Sequence, residues 1–273
     1  MAMRNAIRRP LVNAVRRPMG AGLSTDPLQS LIAELYGAGE QGAFFVSQPV
    51  VNGQQVLFQD AAGTVPITAD GDPVGRWVDL SGNGKHATQS VSGARPVYRT
   101  DGTLHWLEFD GVSSALLIDE ITPGSGSADV IAGLKKLSDS GAGYAFNHDS
   151  TSLKGLYLGY DDLSLEAFHA GRRATSPADY AQPFTGVVGL SSSLSAPSLT
   201  LREGGHVIAT STGTTGGGVF EPSPSAIGRR SDTGLRYFNG EIYGMVVRYG
   251  TLLSDSSRSD VEQYIAALTG VTL

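Results

Sequence analysis

The chain has 273 residues, of which 36 are glycine, 13 are proline and 17% are charged, and it contains no cysteine. This composition favours a packed, turn-rich β protein over a helical or disordered one, and it excludes disulfides and thiolate metal sites. The net charge is −6, but residues 1–25 hold five arginines and no acid, which leaves −11 on the rest. No run of about 18 apolar residues predicts a membrane span, and the basic N-terminus lacks the apolar region of a signal peptide. We therefore expect neither membrane insertion nor export by the usual signal.

Residues 1–25 contain a short repeat. The unit Asn5–Leu11 recurs as Asn13–Met19, and each copy reads Asn-Ala-β-branched-Arg-Arg-Pro-apolar. Because proline pushes the residue before it toward extended geometry, the repeat predicts an extended basic arm and not a helix.

Three roles for this arm stay open: a solvated leader, phosphate contacts to nucleic acid and docking on a protein. The arm has no aromatic residue on which a base could stack, and the rest of the chain is acidic, so nucleic acid is not an expected partner. Protein docking is the preferred interpretation. The anchoring residues of this hypothesis are Arg8, Arg9, Pro10, Arg16, Arg17 and Pro18.

An amphipathic helix is predicted within residues 26–39 and a second one at residues 254–269. In the first, Asp26 is a candidate N-cap, Pro27 suits the first helical position, and the apolar residues share one face. In the second, Ser254 or Ser257 is a candidate cap and Gly270 a candidate stop. Each helix has one apolar face. The first helix either covers the end of the β domain or self-associates, and we prefer the first alternative.

Between the helices, short alternating runs are separated by glycine-rich turns, which predicts about a dozen strands. The most informative stretch is residues 76–111. Its Ser-Gly-Asn-Gly and Asp-Gly sequences indicate tight turns, and its two tryptophans, Trp77 and Trp106, are expected in the core. Strands are also predicted at positions such as Thr64–Thr68, and a hairpin turn at residues 203–205. The fold class is mainly β, a two-sheet antiparallel sandwich with a short helix at each end.

The same stretch resembles the laminin-G-like, concanavalin-A-like jelly-roll modules carried by structural proteins of tailed bacteriophages. The matching residues are Trp77, Asp79, Ser81, Gly82, Asn83, Gly84, Ala87, Thr88, Arg95, Pro96, Tyr98, Phe109, Asp110 and Gly111. The resemblance extends over about residues 40–273, where an Ile-Gly-Arg run and a Phe-x-Gly-x-Ile-Tyr-Gly run also match. It implies a jelly-roll module on a tail or head fibre. Such modules often hold Ca²⁺, and Asp79 and Asn83 are the candidate ligands, although Asx-turn capping explains both residues equally well.

Catalysis has little support in the residues. Glycoside hydrolysis needs two carboxylates flanking the scissile bond, but the Glu-x-Asp-x-x-Glu run of jelly-roll glucanases is absent. The acidic groups that come nearest are Glu108 with Asp110, the pair at 119–120, and the pair at 161–162 with Glu166. The five histidines show no metal-binding spacing, and no Gly-x-Ser-x-Gly sequence marks a serine nucleophile. We expect a protein that is not an enzyme.

Carbohydrate binding needs exposed aromatic rings beside polar groups, and residues 157–169 offer both. The candidates are Tyr157, Tyr160, Asp161, Asp162 and His169. Phe168 and the pair Arg172–Arg173 lie close by in sequence. Each ring is also explained as a core residue, and the acidic pair as a hairpin turn.

Together these observations predict a non-enzymatic virion protein, a fibre or surface decoration on the tail or capsid, made in the host cytoplasm. Residues 1–25 form the anchoring arm to other virion proteins, and residues 40–273 form the jelly-roll domain, including the C-terminal helix. A homotrimer and adhesion to a host-surface glycan are expected. The alternatives are a polysaccharide-degrading virion enzyme and a purely architectural capsid or tail protein.

Overall fold

The computed structural model describes residues 26–148, 155–194, 198–213, 218–231 and 235–273. Within these ranges the protein is mainly β, with antiparallel strands in two large sheets and a helix near each end. This confirms the predicted sandwich and both predicted helices. None of the helices in the described ranges has the length and apolar character needed to cross a membrane.

The helices are α1 (Pro27–Tyr36) and α2 (Asp255–Thr269), with a 3₁₀ turn at Ser92–Ala94. The strands are β1 (Gln41–Val46), β2 (Val50–Val51), β3 (Gln54–Gln55), β4 (Leu57–Phe58), β5 (Arg76–Trp77), β6 (Ala87–Thr88), β7 (Val97–Thr100), β8 (His105–Asp110), β9 (Leu116–Ile121), β10 (Ser127–Lys136), β11 (Ala142–His148), β12 (Leu156–Asp161), β13 (Ser164–His169), β14 (Arg172–Thr175), β15 (Phe184–Ser193), β16 (Ser198–Glu203), β17 (His206–Ser211), β18 (Ser223–Ile227) and β19 (Asn239–Tyr249).

The first large sheet, sheet I, has the order β17-β16-β15-β10-β19-β8-β7. Its centre is the long pair β10–β19, in which Val130 lies opposite Val247. One edge of β19 is shared, because its first residues pair with β8 and its later residues pair with β1. The predicted hairpin turn at residues 203–205 joins β16 to β17, and Gly204 and Gly205 have the positive φ angles that this turn requires.

The second, sheet II, has the order β14-β13-β12-β11-β18-β9-β6-β5-β4. The stretch at residues 76–111 is divided between the sheets, since β5 and β6 belong to sheet II while β7 and β8 belong to sheet I. It therefore links the two layers of the sandwich.

The core lies between the sheets. Trp77 is fully buried, its ring centroid lies 5.0 Å from that of Phe45, and its Nε1 donates to the Val46 carbonyl at 2.8 Å. This confirms Trp77 as a core residue. The expectation for Trp106 was wrong, because this side chain is only half-buried and packs beside Tyr243, with ring centroids 5.7 Å apart.

The predicted strand Thr64–Thr68 is absent from the strands of the described residues, and an Asp60-centred loop takes its place. The Asp60 carboxylate accepts from the backbone N–H of Thr64 at 2.9 Å and of Val65 at 2.8 Å, and from the Thr64 hydroxyl at 2.7 Å. These bonds, led by the Thr64 hydroxyl, lower the pKa of Asp60 to about 2. Asp60 thereby satisfies two backbone donors that a strand partner would otherwise take. The Ile67 N–H donates to the Leu57 carbonyl at 3.1 Å, so the segment keeps only an isolated bridge to β4.

Helix α1 begins as predicted, with the Asp26 carboxylate accepting from the backbone N–H of Leu28 at 3.0 Å. It ends at Tyr36, whose hydroxyl lies 2.9 Å from the carbonyls of both Ala43 and Val247. Because these carbonyls belong to neighbouring strands of sheet I, α1 is fixed to that sheet.

Helix α2 packs on β10, β15 and β19 of the same sheet. It is capped by Ser254 and stopped by Gly270 with φ 73°. Its Arg258 is buried and donates from Nη1 to Asp129 Oδ1 at 2.8 Å. Asp129 also accepts from the Ser191 hydroxyl at 2.7 Å and, through Oδ2, from the Leu253 N–H at 2.9 Å.

Replacing Arg258 with methionine leaves the buried Asp129 carboxylate without its counter-charge, and we expect the free energy of unfolding to fall by about 3–5 kcal/mol. The matched control is Arg99→Met, because Arg99 pairs with the half-exposed Glu108 at 2.8 Å and such pairs contribute about 1 kcal/mol or less. Urea unfolding of both variants measures the difference. Equal losses would contradict this account of how α2 is held.

Candidate functional site

The two sheets differ in what covers their outer faces. Sheet I is covered by α1 and α2, whereas no helix of the described residues packs on the outer face of sheet II. The outward-facing side chains of sheet II therefore find their hydrogen bonds and apolar contacts without help from α1 or α2. Strands β11 to β14 form one end of this sheet and pair in sequence.

Three aromatic rings stack across neighbouring strands of this face, and we call them the aromatic ladder: Tyr144 of β11, Tyr157 of β12 and Phe168 of β13. The centroids of Tyr144 and Tyr157 are 4.0 Å apart with planes at 11°, and those of Tyr157 and Phe168 are 5.0 Å apart with planes at 4°. The spacing follows from the strand separation of about 4.8 Å. The Arg236 guanidinium lies over the Tyr144 ring, 5.7 Å from its centroid.

A charged cluster of Glu166, Arg173 and Asp161 adjoins the ladder. Glu166 accepts from Arg173 Nη1 at 3.1 Å, from the Thr175 hydroxyl at 3.2 Å and from the Tyr157 hydroxyl at 3.1 Å. The same Arg173 nitrogen lies 3.7 Å from Asp161 Oδ2. Only 5% of the Glu166 side chain is exposed, against 50% for Arg173 and 38% for Asp161. The buried Glu166 thus connects the ladder to Arg173, because it accepts hydrogen bonds from both Tyr157 and Arg173.

The Tyr157 hydroxyl is a neutral donor in this setting. Burial, together with the nearby Tyr144 and Glu166, raises the pKa of Tyr157 far above its ordinary value. The phenol therefore keeps its proton and its hydrogen bond to the Glu166 carboxylate.

The side chains exposed at this place are the Arg173 and Arg236 guanidinium groups, the Asp161 carboxylate and part of the Phe168 ring. Arg173 and the exposed Arg236 are balanced in formal charge by Asp161 and Glu166. A balanced set of donors and acceptors beside apolar ring edges suits a neutral ligand rich in hydroxyl groups.

Of the five predicted glycan-binding residues, Tyr157 and Asp161 lie together on this face. Asp162 lies at the tip of the β12–β13 hairpin with φ 49°, where its carboxylate accepts from the Gly141 N–H at 2.7 Å. Tyr160 is 2% exposed and points into the core, where its ring centroid is 5.7 Å from that of Phe238. The premise of exposed rings is not met for either tyrosine, since Tyr157 itself is 5% exposed and stacked on both sides.

His169, the fifth predicted residue, is also inside the sandwich. It is buried, its Nδ1 shares a hydrogen bond with the Ser192 hydroxyl, and its ring centroid lies 5.0 Å from that of Phe220. Its Nε2 has no hydrogen-bond partner among the described residues. Burial lowers the pKa of His169 to about 4. Its surroundings favour the neutral imidazole, and it is not on the surface that a glycan would meet.

The candidate metal ligands are engaged in a turn. Asp79 Oδ1 accepts from the backbone N–H of Phe44 at 2.9 Å and of Ser81 at 2.8 Å, while Oδ2 accepts from the Ser81 hydroxyl at 2.8 Å and the Lys85 N–H at 3.0 Å. The Asn83 amide donates to two backbone carbonyls at the start of β1, each at 3.1 Å. No group of three or more His, Cys, Asp or Glu residues in the described ranges is placed to hold a metal ion. These contacts favour turn capping over calcium binding for both residues.

The six anchoring residues of the arm, Arg8 to Pro10 and Arg16 to Pro18, lie outside the described residues. Their role stays a prediction.

Sequence reasoning missed Tyr144 and Arg236 as parts of the site. Tyr144 joins the ladder because β11 pairs with β12. Arg236 reaches the Tyr144 ring from a segment more than 60 residues further along the chain. The alternating run around Tyr144 indicated a strand, but its register against β12 is a long-range property that local pattern does not specify.

No family model and no curated protein sequence matches this chain. Solved structures do resemble it. A GH54 α-L-arabinofuranosidase soaked with a cyclic sulfate inhibitor is 15% identical, with 87% of this chain and 65% of that chain covered and a TM-score of 0.58. Domain 4 of AbnA, a GH43 extracellular arabinanase from Geobacillus stearothermophilus, in complex with arabinotriose, is 14% identical, with 68% and 92% covered and a TM-score of 0.51.

At these identities the likeness shows the fold alone. This likeness confirms the jelly-roll sandwich that the resemblance predicted. The bacteriophage part of the resemblance receives no support from these structures.

The buried His169 predicts a pH dependence of stability. Its pKa is about 4 when folded and about 6.5 when unfolded, so the unfolded chain binds more protons between these values. Stability is therefore fully present above pH 6.5 and is lost as the pH falls toward 4, by at most about 1.4 kcal/mol per pH unit. Urea unfolding of the wild-type chain and of His169→Asn across this window gives the free energy of unfolding at each pH. The difference between the two slopes against pH is the contribution of His169. Parallel curves for the two proteins would contradict it.

Proposed function

We propose that this chain is a glycan-binding module without catalytic activity, and that its ligand is a neutral oligosaccharide held on the outer face of sheet II. The observation that carries this proposal is the aromatic ladder beside the charged cluster, on the large sheet face that carries no helix in the described residues.

The chemistry of the face supports a sugar ligand. Arg173 is half exposed and has donors beyond the nitrogen bound to the two acids, and Asp161 has acceptor capacity beyond its contact with Arg173. Sugar hydroxyls are donors and acceptors at once, so both groups have partners on one ring. The Phe168 ring, which is the partly exposed member of the ladder, provides apolar contact for the C–H groups of the sugar. The jelly-roll neighbour that was solved with arabinotriose makes a pentose oligosaccharide the first ligand to try.

Replacing Arg173 with alanine removes charge-assisted hydrogen bonds that contribute about 1.5–3 kcal/mol each, so we expect the Kd for a bound neutral oligosaccharide to rise about tenfold or more. Isothermal titration calorimetry with arabinotriose and a panel of neutral and anionic oligosaccharides measures this. The control is Arg99→Ala, because Arg99 likewise bridges two acids, Asp70 and Glu108, but on β7 of sheet I.

Equal weakening by the two substitutions, or preferred binding of anionic sugars, would contradict the proposal.

A glycoside hydrolase is the second candidate, and one observation favours it. Asp161 and Glu166 both contact Arg173 Nη1, at 3.7 and 3.1 Å, so their nearest oxygens are less than about 7 Å apart. This upper limit admits the separation of about 5–5.5 Å that retaining glycosidases have. Release of reducing sugars by the wild-type chain and not by Glu166→Gln would establish this candidate instead.

We further propose that the module is a structural component of a tailed-phage virion, on the tail or capsid surface, made in the host cytoplasm and assembled as a homotrimer. The support is the sequence resemblance of residues 76–111 and the repeated basic arm at residues 1–25. The arm would dock on another virion protein, and the sandwich would present the ladder face to a host-surface glycan.

Deleting residues 1–22 is expected to leave a folded body that no longer incorporates into particles, because every arginine of the arm is removed while Asp26 and α1 are kept. Circular dichroism checks the fold of the truncated chain, and quantitative blotting of purified particles measures incorporation. Unchanged incorporation of a folded truncated chain would remove the anchoring role from the arm.

A further inference from the structure

A groove runs along both sides of α2, on the opposite layer of the molecule from the ladder. On one side it lies between the two helices and encloses about 280 Å³. Pro27 and Leu31 of α1 and Tyr264 of α2 provide its apolar surface, and Glu34 and Asp260 are its acids.

On the other side of α2 the groove widens to about 960 Å³, between the helix and the β16–β17 turn. Ala266, Ala267 and Leu273 provide apolar surface, and Asp255 lies on the rim. Gln263 lines both parts, which flank the same helix, and we therefore describe the two together. We call the pair the α2 groove.

The α2 groove is acidic. Glu34, Asp255 and Asp260 are exposed along it, and α1 contains no basic residue. The one base of α2, Arg258, is buried against Asp129. A further acid, Glu262, is already paired with Arg202 at 2.7 Å. Three exposed carboxylates on the two helices therefore face solvent without an exposed cation from either helix.

The chain itself holds a segment of matching chemistry. Residues 1–25 carry five arginines and no acid, with an apolar residue before each Arg-Arg pair, Ile7 and Val15. They join the described protein at Asp26, next to Pro27, which lines the groove. Arg17 precedes Asp26 by nine positions, a reach of about 30 Å. A 15-residue helix such as α2 is about 22 Å long, so the arginines can reach the whole groove.

We propose that the segment from Arg4 to Arg17 occupies the α2 groove of its own molecule, with arginines on the acidic rim and apolar residues on the floor. The same molecule is the expected host because a tether that starts at the groove gives an effective concentration of about millimolar. The arm is then held by the free protein and has to leave the groove before it anchors to anything else. This inference does not depend on glycan binding.

The absence of cysteine makes a direct test available, because Ala14→Cys gives the full-length chain a single site for a nitroxide label. In NMR spectra of the labelled chain we expect paramagnetic broadening of amides in α1 and α2, at positions such as Glu34, Ser259 and Gln263. The broadening should fall strongly in 1 M NaCl, where charges are screened within about 3 Å.

The variant Glu34→Gln/Asp260→Asn should reduce this broadening by at least half, because it removes two rim charges and keeps side-chain shape. The control Asp119→Asn/Glu120→Gln removes two exposed charges from β9 of sheet II and should leave the broadening unchanged. Unbroadened helix amides, or equal loss in both variants, would overturn the proposal. A mixing experiment uses ¹⁵N chain without the nitroxide and ¹⁴N chain that carries it. Broadening of the ¹⁵N amides in this mixture would also overturn the proposal, since it places the arm on a second molecule.

Discussion

The buried ion pair between Asp129 of β10 and Arg258 of α2 determines how the outer face of sheet I is covered. Each sheet of a sandwich has one face in the core, and its other face must be covered or made compatible with water. Sheet I is covered by the helix that this pair fixes, together with α1. Sheet II meets the same requirement with stacked rings and a paired carboxylate. The ladder face is thus a consequence of helices that pack on one layer only.

Local features of the fold could be predicted from the sequence. The caps at Asp26 and Ser254 and the turn at residues 203–205 depend on residues adjacent in the chain, so pattern identifies them. The placement of Trp106 could not be predicted, because the face a strand residue takes depends on which sheet its strand joins. Thr64–Thr68 has strand-like residues, yet the Asp60 carboxylate takes the N–H groups of Thr64 and Val65, and only an isolated bridge to β4 forms.

The candidate site shows the same division. Residues 157–169 were identified from composition, and Tyr157 and Asp161 do lie on the ladder face. Tyr160 and His169 point inward, because alternation along β12 and β13 places them on the core side. Tyr144 completes the ladder only through the β11–β12 register, which includes an irregularity after Tyr144. Stacking therefore both stabilises the sheet and arranges the proposed binding surface.

Chemical-shift mapping of the ¹⁵N-labelled full-length chain, titrated with the tightest-binding neutral oligosaccharide, locates the binding surface. We expect the perturbed amides to cluster around the ladder and its charged cluster, at Tyr144, Tyr157, Phe168 and Arg173, while those of α2 stay unchanged. Perturbations confined to α2, or to the ends of the sandwich away from β11–β14, would contradict the assignment of the outer face of sheet II as the binding surface.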